Sequence, residues 1–286
     1  MMTLILSGLG VGALYATVGI LLTIPLVRSG IVNFAIPFYV ILGNYLTASL
    51  TSAHWAVSLI FVALAGLGFL IGSAQELLTV RPARGDHDTT LVTTIGMGVA
   101  LEGFILACWG PDPRSVAFFG GNGTLTVFGG RIQALDVCLI GIAAILAIGL
   151  HVAVNHTRWG FVGRAAMTDQ VAAMLRGINI PRLRTVAFGA AAALAVALGP
   201  ISGPAMGVAL DPALQLVVYS VAAVSIGGVG SFAGTAVGGF ALGLVEAFSA
   251  RYLSVQWATI LVFAILCTVL VIKPRGLFGA RHLRSV

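Results

Sequence analysis

The sequence predicts an all-α polytopic membrane protein with about eight or nine transmembrane segments, some broken or re-entrant, in a single domain over 1–286. Two observations carry this expectation. Of 286 residues, 59% are hydrophobic and 8% charged, whereas a soluble domain carries about 25% charged residues. Mean hydropathy is +1.06, and polar breaks recur along the whole chain, leaving apolar runs close to the roughly 20 residues that one span requires.

The first run, 3–27, has no basic residue ahead of it and is too long for a signal-peptide core, so it reads as a retained span. Gly8, Gly12 and Ala16 stand at four-residue spacing in it, a pattern that lets another helix approach closely where lipid supplies no drive for association. Further runs follow at 31–51, 55–79, 91–109, 135–154, 185–202, 215–248 and 254–272, with boundaries good to about four residues. In 31–43, Asn33 and Pro37 put an amide and a missing N–H into an apolar stretch, which reads as interrupted helix beside a passage or as a simple kink. The run 215–248 is too long for one simple span. Its Gly227, Gly228, Gly230 and Gly234 divide it into two shorter segments or a re-entrant pair, and this choice decides between eight and nine segments. Backbone exposed over 225–234 reads as a place to coordinate a polar solute or, again, as a kink. Gly230, Gly234 and Gly238 form a second small-residue stripe.

Basic residues set the orientation. Arg28, Arg81 with Arg84, Arg158, Arg164, Arg176, Arg182 and Arg184, and the tail's Lys273, Arg275, Arg281 and Arg284 make up most of the fifteen. These four regions are expected on the cytoplasmic side, and the N-terminus outside. The loop 110–134, with Pro111, Pro113 and clustered glycines around β-prone pieces, falls on the external face as a small hairpin cap or a connector.

Several chemistries are set aside. The net charge of +6 comes from short loops without the aromatic interleaving that stacking on nucleic acid requires. Cys108, Cys138 and Cys267 have no CxxC spacing and read as buried packing residues, and His151 and His156 are five apart, on different helix faces, so no metal site is expected. No Walker sequence occurs, so nucleotide cannot bind this chain through a P-loop. Burying an acid in lipid costs at least about 2.5 to 3.5 kcal/mol, so acids in spans face a cavity or a partner. Glu76, near a span end, is expected to snorkel or pair with Arg81 or Arg84. Glu102 and Glu246 read as structural pairs or as pathway residues.

The polar island 157–184 stands out from this background. Helix formers fill 164–176, with Met167, Val171, Met174 and Leu175 on one apolar stripe. Gly177 is the expected stop, and Pro181 prevents easy continuation. The short amphipathic helix so defined lies on lipid, packs on its own bundle, or fits a groove in a soluble partner.

These residues carry a resemblance. The island, through Thr157, Arg158, Gly160, Arg164, Ala165, Asp169, Ala172, Ala173, Gly177, Ile178 and Asn179, resembles the cytoplasmic coupling segment of the branched-chain amino-acid type ABC transporter permeases. In order along the chain, Gly12-Ala13-Leu14-Tyr15-Ala16, Arg81-Pro82 with Arg84-Gly85, Thr94-Ile95-Gly96, Gly227-Gly228-Val229-Gly230-Ser231 and Pro274-Arg275-Gly276-Leu277-Phe278-Gly279 resemble further family signatures. The proportions resemble the shorter of its two permease types. The resemblance implies a transmembrane permease subunit in the bacterial inner (plasma) membrane, without a cofactor and not itself an enzyme. It implies a second permease, homologous or identical, two cytoplasmic ATPase subunits and an external solute-binding protein. The cargo would be a branched-chain amino acid or a related small amino acid or amide.

Under that resemblance the ATPase contact comprises Arg164, Ala165, Met167, Asp169, Val171, Ala172, Met174, Leu175 and Gly177, the apolar members filling a groove and Arg164 and Asp169 setting register. Where the family commonly has His-Gly after Asn33-Phe34-Ala35, this chain has Ile36-Pro37. Polarity and backbone freedom within spans nominate Asn33, Phe34, Thr94, Gly96 and Gly227 for the substrate pathway. The rival class is an ion- or proton-coupled secondary transporter using Glu102 and Glu246.

Overall fold

Between its ends, a helix satisfies its backbone polar groups within its own segment, which is what a chain this apolar needs in lipid. A computed structural model describes residues 1–83, 87–121, 123–127, 129–168, 170–273 and 276–278. Among them the order is α1 (Met2–Ser29), α2 (Ile36–Ser52), α3 (Val57–Gln75) continued by a π-helical turn (Glu76–Val80), α4 (His87–Trp109), β1 (Thr124–Val127), β2 (Gly130–Gln133), α5 (Ala134–His156), α6 (Arg158–Thr168), α7 (Gln170–Leu175), α8 (Ile180–Ala197), α9 (Gly199–Met206), α10 (Pro212–Gly227), α11 (Phe232–Tyr252) and α12 (Val255–Ile272). Among the described residues, six helices are long and apolar enough to cross a membrane: Met2–Ser29, Val57–Val80, Asp88–Trp109, Ala134–His156, Ile180–Ala197 and Phe232–Tyr252. Pro212–Gly227 and Gln256–Ile272 are apolar but shorter. The chain is thus an all-α polytopic membrane protein.

Two open readings are resolved at helix boundaries. Pro37 does not interrupt a helix; it lies in the first turn of α2, where an N–H would have no intrahelical acceptor anyway. The non-helical residues are 30–35, between α1 and α2. The glycine-rich run, left open between two readings, is two helices parted at 228–231, where Gly228 and Gly230 take φ of 102° and 89°, a conformation that favours glycine. Ser231 then caps α11, its hydroxyl accepting from Gly234 N at 3.0 Å.

The chain divides into two compact units, residues 1–23, 123–152 and 218–286 in one, and 24–122 and 153–217 in the other. In the first, α1 packs on α11 through the small residues of both. A Cβ on Gly12 would stand 2.9 Å from Gly239 O, and one on Gly8 would stand 3.0 Å from Ala247 Cβ. Added at Gly239, it would enter the backbone of Ala16. The predicted stripe at Gly8, Gly12 and Ala16 therefore meets Gly239, Gly243 and Ala247. Gly234 and Gly238 instead face Gly227 and Ala223 of α10. The hairpin pairs Thr124 with Gln133 and Val127 with Gly130, and Arg131 N donates to Thr3 Oγ1 at 3.3 Å.

In the second unit, Gly68 and Gly72 of α3 lie against Ala192 and Phe188 of α8, where a Cβ would approach Ala192 O and Phe188 O to 2.6 Å. Helix α2 is buried along nearly its whole length, and its fully buried Asn44 accepts from Ser202 Oγ of α9 at 2.6 Å.

Candidate functional site

The segment 30–35 has no continuous helical ladder: Gly30 N donates to Leu26 O at 2.9 Å, and Asn33 O and Ala35 O accept from Ile36 N and Tyr39 N at 3.2 and 3.0 Å, so its remaining polar groups must find partners elsewhere. Asn33 is fully buried. Its amide donates to Gln75 Oε1 at 2.8 Å, and the Gln75 amide donates back to Asn33 Oδ1 at 2.9 Å. Tyr39 OH also donates to Gln75 Oε1, at 2.9 Å, and Ala35 N donates to Asn33 Oδ1 at 3.1 Å. From α4, the buried Thr94 hydroxyl reaches Val32 O at 3.4 Å and Leu91 O at 2.9 Å. Asn33 and Thr94, nominated separately from the sequence, therefore both serve this segment, with Phe34 half-buried between them in sequence. Asn33→Ala would strand the Gln75 amide, at a cost of about 1–3 kcal/mol. The thermal midpoint of the purified variant should fall accordingly; an unchanged midpoint would show that the pair contributes nothing.

Gly96 and Gly227 stand apart from this cluster. Gly96 is exposed, on the other side of α4 from the buried Thr94 and Gly98, and a Cβ there would meet nothing within 4 Å. Gly227, in the other unit, packs against Gly234, so its lack of a side chain serves helix contact. Gln75 was missed by sequence reasoning. Its signal was an amide at the polar end of an apolar run, overshadowed by the neighbouring carboxylate.

That carboxylate, Glu76, is fully buried and does not snorkel. Thr185 Oγ1 donates to its Oε2 at 2.6 Å. Arg81 lies 3.6 Å from Oε2, and Arg184 lies 3.9 Å from Oε1. A charge so buried persists only with partners. The pairing with Arg81 agrees with one of the expected alternatives; Arg84 lies outside the described residues. Arg184, the last residue of the island, and Thr185, the next, belong to the first turns of α8.

The described residues of the island around 164–176 are helical on both sides of residue 169, which lies outside the described residues. The island forms α6 and α7, which meet through buried Ala166 and Ala173 together with Ile180, with Ile178 and Leu183 packed against them. Gly177 ends α7 as anticipated, with φ 81°. Ile178 N donates to Ala173 O at 3.0 Å and Gly177 N to Met174 O at 2.9 Å, the two bonds of a Schellman motif. Pro181 sits in the first turn of α8, whose cap, Asn179, accepts from Arg182 N at 3.0 Å.

Of the nominated coupling residues, Met174 is 51% exposed and Leu175 85%. Ala165 and Gly177 are exposed, and Ala172 is half-buried. Arg164 and Met167 lie on α6 and Val171 on α7, each described only in its backbone, and Asp169 lies outside the described residues. Phe161 of α6 is a further exposed apolar residue, at 62%.

Glu102 on α4 and Glu246 on α11 are half-buried and lie in different units. Among the described residues, no group of three or more His, Cys, Asp or Glu could hold a metal ion. Two signature segments quoted separately from the sequence do meet. Leu277 N donates to Ile226 O at 2.8 Å and Phe278 N to Gly227 O at 3.1 Å, closing the carbonyl end of α10, while Gly276 lies on Gly228.

Comparison with known proteins gives a consistent result. The family described as branched-chain amino acid transport system / permease component matches residues 4–270. The high-affinity branched-chain amino acid transport system permease protein LivH of Salmonella typhimurium is 27% identical over 98% of this chain and 96% of its own. The corresponding LivH of Escherichia coli K12 gives the same figures. BraD of Pseudomonas aeruginosa, a permease protein of the same description, is 26% identical over 99% of this chain and 97% of its own. No solved structure matches.

Proposed function

The chain belongs to the family of branched-chain amino acid transport system permease components, and from that premise we propose that it is the transmembrane permease subunit of an ATP-driven ABC importer. Its whole length forms one permease domain of the inner (plasma) membrane. The cargo is a branched-chain amino acid or a related small amino acid or amide. Its partners are a second permease, homologous or identical, two cytoplasmic ATPase subunits and an external solute-binding protein. ATP hydrolysis falls to the ATPase subunits.

One observation supports the reading above the rest: a polar helical island in an apolar chain ends in two exposed apolar side chains, Met174 and Leu175. An exposed Leu beside a short, well-capped turn suits insertion into a groove of a soluble partner. Asn33, Phe34 and Thr94, around the non-helical segment 30–35, are the stronger pathway candidates. Gly96 and Gly227 stand apart from that segment.

The test is reconstitution of the chain in liposomes with its companion permease, ATPase subunits and solute-binding protein. Uptake of labelled leucine should require internal ATP and the binding protein. Uptake driven by an imposed proton or sodium gradient without ATP would overturn the reading in favour of a secondary transporter, and neutralising Glu102 and Glu246 would then abolish it.

A further inference from the structure

We propose that Gln75 and Glu76 are positioning residues that form the joint carrying movement of the island to the non-helical segment 30–35, an inference that rests on the function just proposed. Consecutive residues on a helix point about 100° apart, so two adjacent polar side chains can serve two different neighbours. Gln75 is joined to Asn33 by paired amide hydrogen bonds and to Tyr39 by a third. Glu76 is joined to Thr185 by a 2.6 Å hydrogen bond and to Arg184 and Arg81 by charge. One side of the joint is thus the link between α1 and α2. The other is the start of α8, which residues 176–179 connect directly to α7.

Three physical features fit these residues for the task. Glu76 is wholly buried, so leaving its cationic and hydroxyl partners behind would strand a charge, and it must follow Arg184 and Thr185 when they shift. The turn that begins at Glu76 is π-helical, with Arg81 N donating to Glu76 O at 2.7 Å. A π-turn carries one residue more than an α-turn, and its collapse to α-geometry would rotate the adjoining helix, giving two discrete registers. Segment 30–35 has no internal helical ladder to break, so it yields at lower cost than the helices around it. An element with two arrangements, contacted from both sides, is what transmission between sites requires.

The test uses the complete reconstituted transporter and reads solute moved per ATP hydrolysed, a ratio that mere loss of folded protein does not change. Glu76→Gln, Thr185→Val and Gln75→Leu should each lower that ratio roughly threefold to tenfold while ATP hydrolysis continues. Because both residues lie on one route, Glu76→Gln combined with Gln75→Leu should do no more damage than the worse single change. If Glu76→Gln fails to accumulate, the near-isosteric Thr185→Val with Gln75→Leu repeats the comparison. A wild-type ratio in the single variants, or losses that multiply in the double variant, would overturn the joint alone. Absence of ATP-driven uptake in the wild-type complex would overturn the proposed function and the joint with it.

Discussion

Replacing Met174 and Leu175 together by glutamate should abolish ATP-driven uptake while leaving the chain inserted and folded. The stability side of this expectation follows from exposure: at 51% and 85% exposed, neither residue fills a core, and surface changes of this kind usually stay within about 0.5 kcal/mol. The internal contact of the island is made by Ala166, Ala173 and Ile180 and is untouched. The binding side follows from the chemistry of grooves. An apolar anchor at the centre of an interface contributes about 2 kcal/mol or more, and a carboxylate carried into the same pocket adds the cost of desolvating a charge. Loss of both anchors should therefore weaken ATPase binding by roughly a hundredfold or more. Co-purification of the ATPase subunits and uptake into liposomes measure the effect. Full retention of both by the double variant would show that the exposed tip of α7 is not the docking point.

The largest expected effect on the fold comes from adding a side chain at one helix-contact glycine. Gly239→Leu should prevent accumulation of folded protein, because the first atom added would enter the backbone of Ala16 rather than a flexible side chain. Overpacking a core costs about 1–3 kcal/mol when side chains can give. Here α1 and α11 would have to part, and the contacts of Gly8, Gly12 and Gly243 along the same seam would go with them. In lipid no hydrophobic drive between helices compensates, since association depends on close packing itself. Gly96→Leu is the control: nothing lies within 4 Å of its Cβ position, and removing a helical glycine favours the helix by up to about 1 kcal/mol. Size-exclusion profiles and thermal midpoints in detergent should separate the two clearly. A well-folded Gly239→Leu protein with the wild-type midpoint would refute the packing of this seam.

Much was legible in the linear order of residues. Composition and the lengths of apolar runs placed the chain in a membrane, the density of glycine at 227–234 marked the break between α10 and α11, and Gly177 marked the end of α7. The stripe of Gly8, Gly12 and Ala16 announced a close helix contact. Each of these is a local property, because hydropathy, helix propensity and access to positive φ act over a few residues and need no knowledge of neighbours in space.

Partners were decided only in three dimensions. Nothing in the spacing of residues told that the stripe on α1 would meet Gly239 and Gly243, that Glu76 would be held by Arg184 and Thr185 at the end of the island, or that the tail would close the end of α10. The break near Asn33 and Pro37 was visible as a conflict between polarity and apolar surroundings, yet the proline proved to begin a helix because its own first turn needed no donor. A buried amide or carboxylate states that it must be paired; which group pairs it depends on distances between segments 42 to 109 residues apart, and those are set by packing of the whole unit.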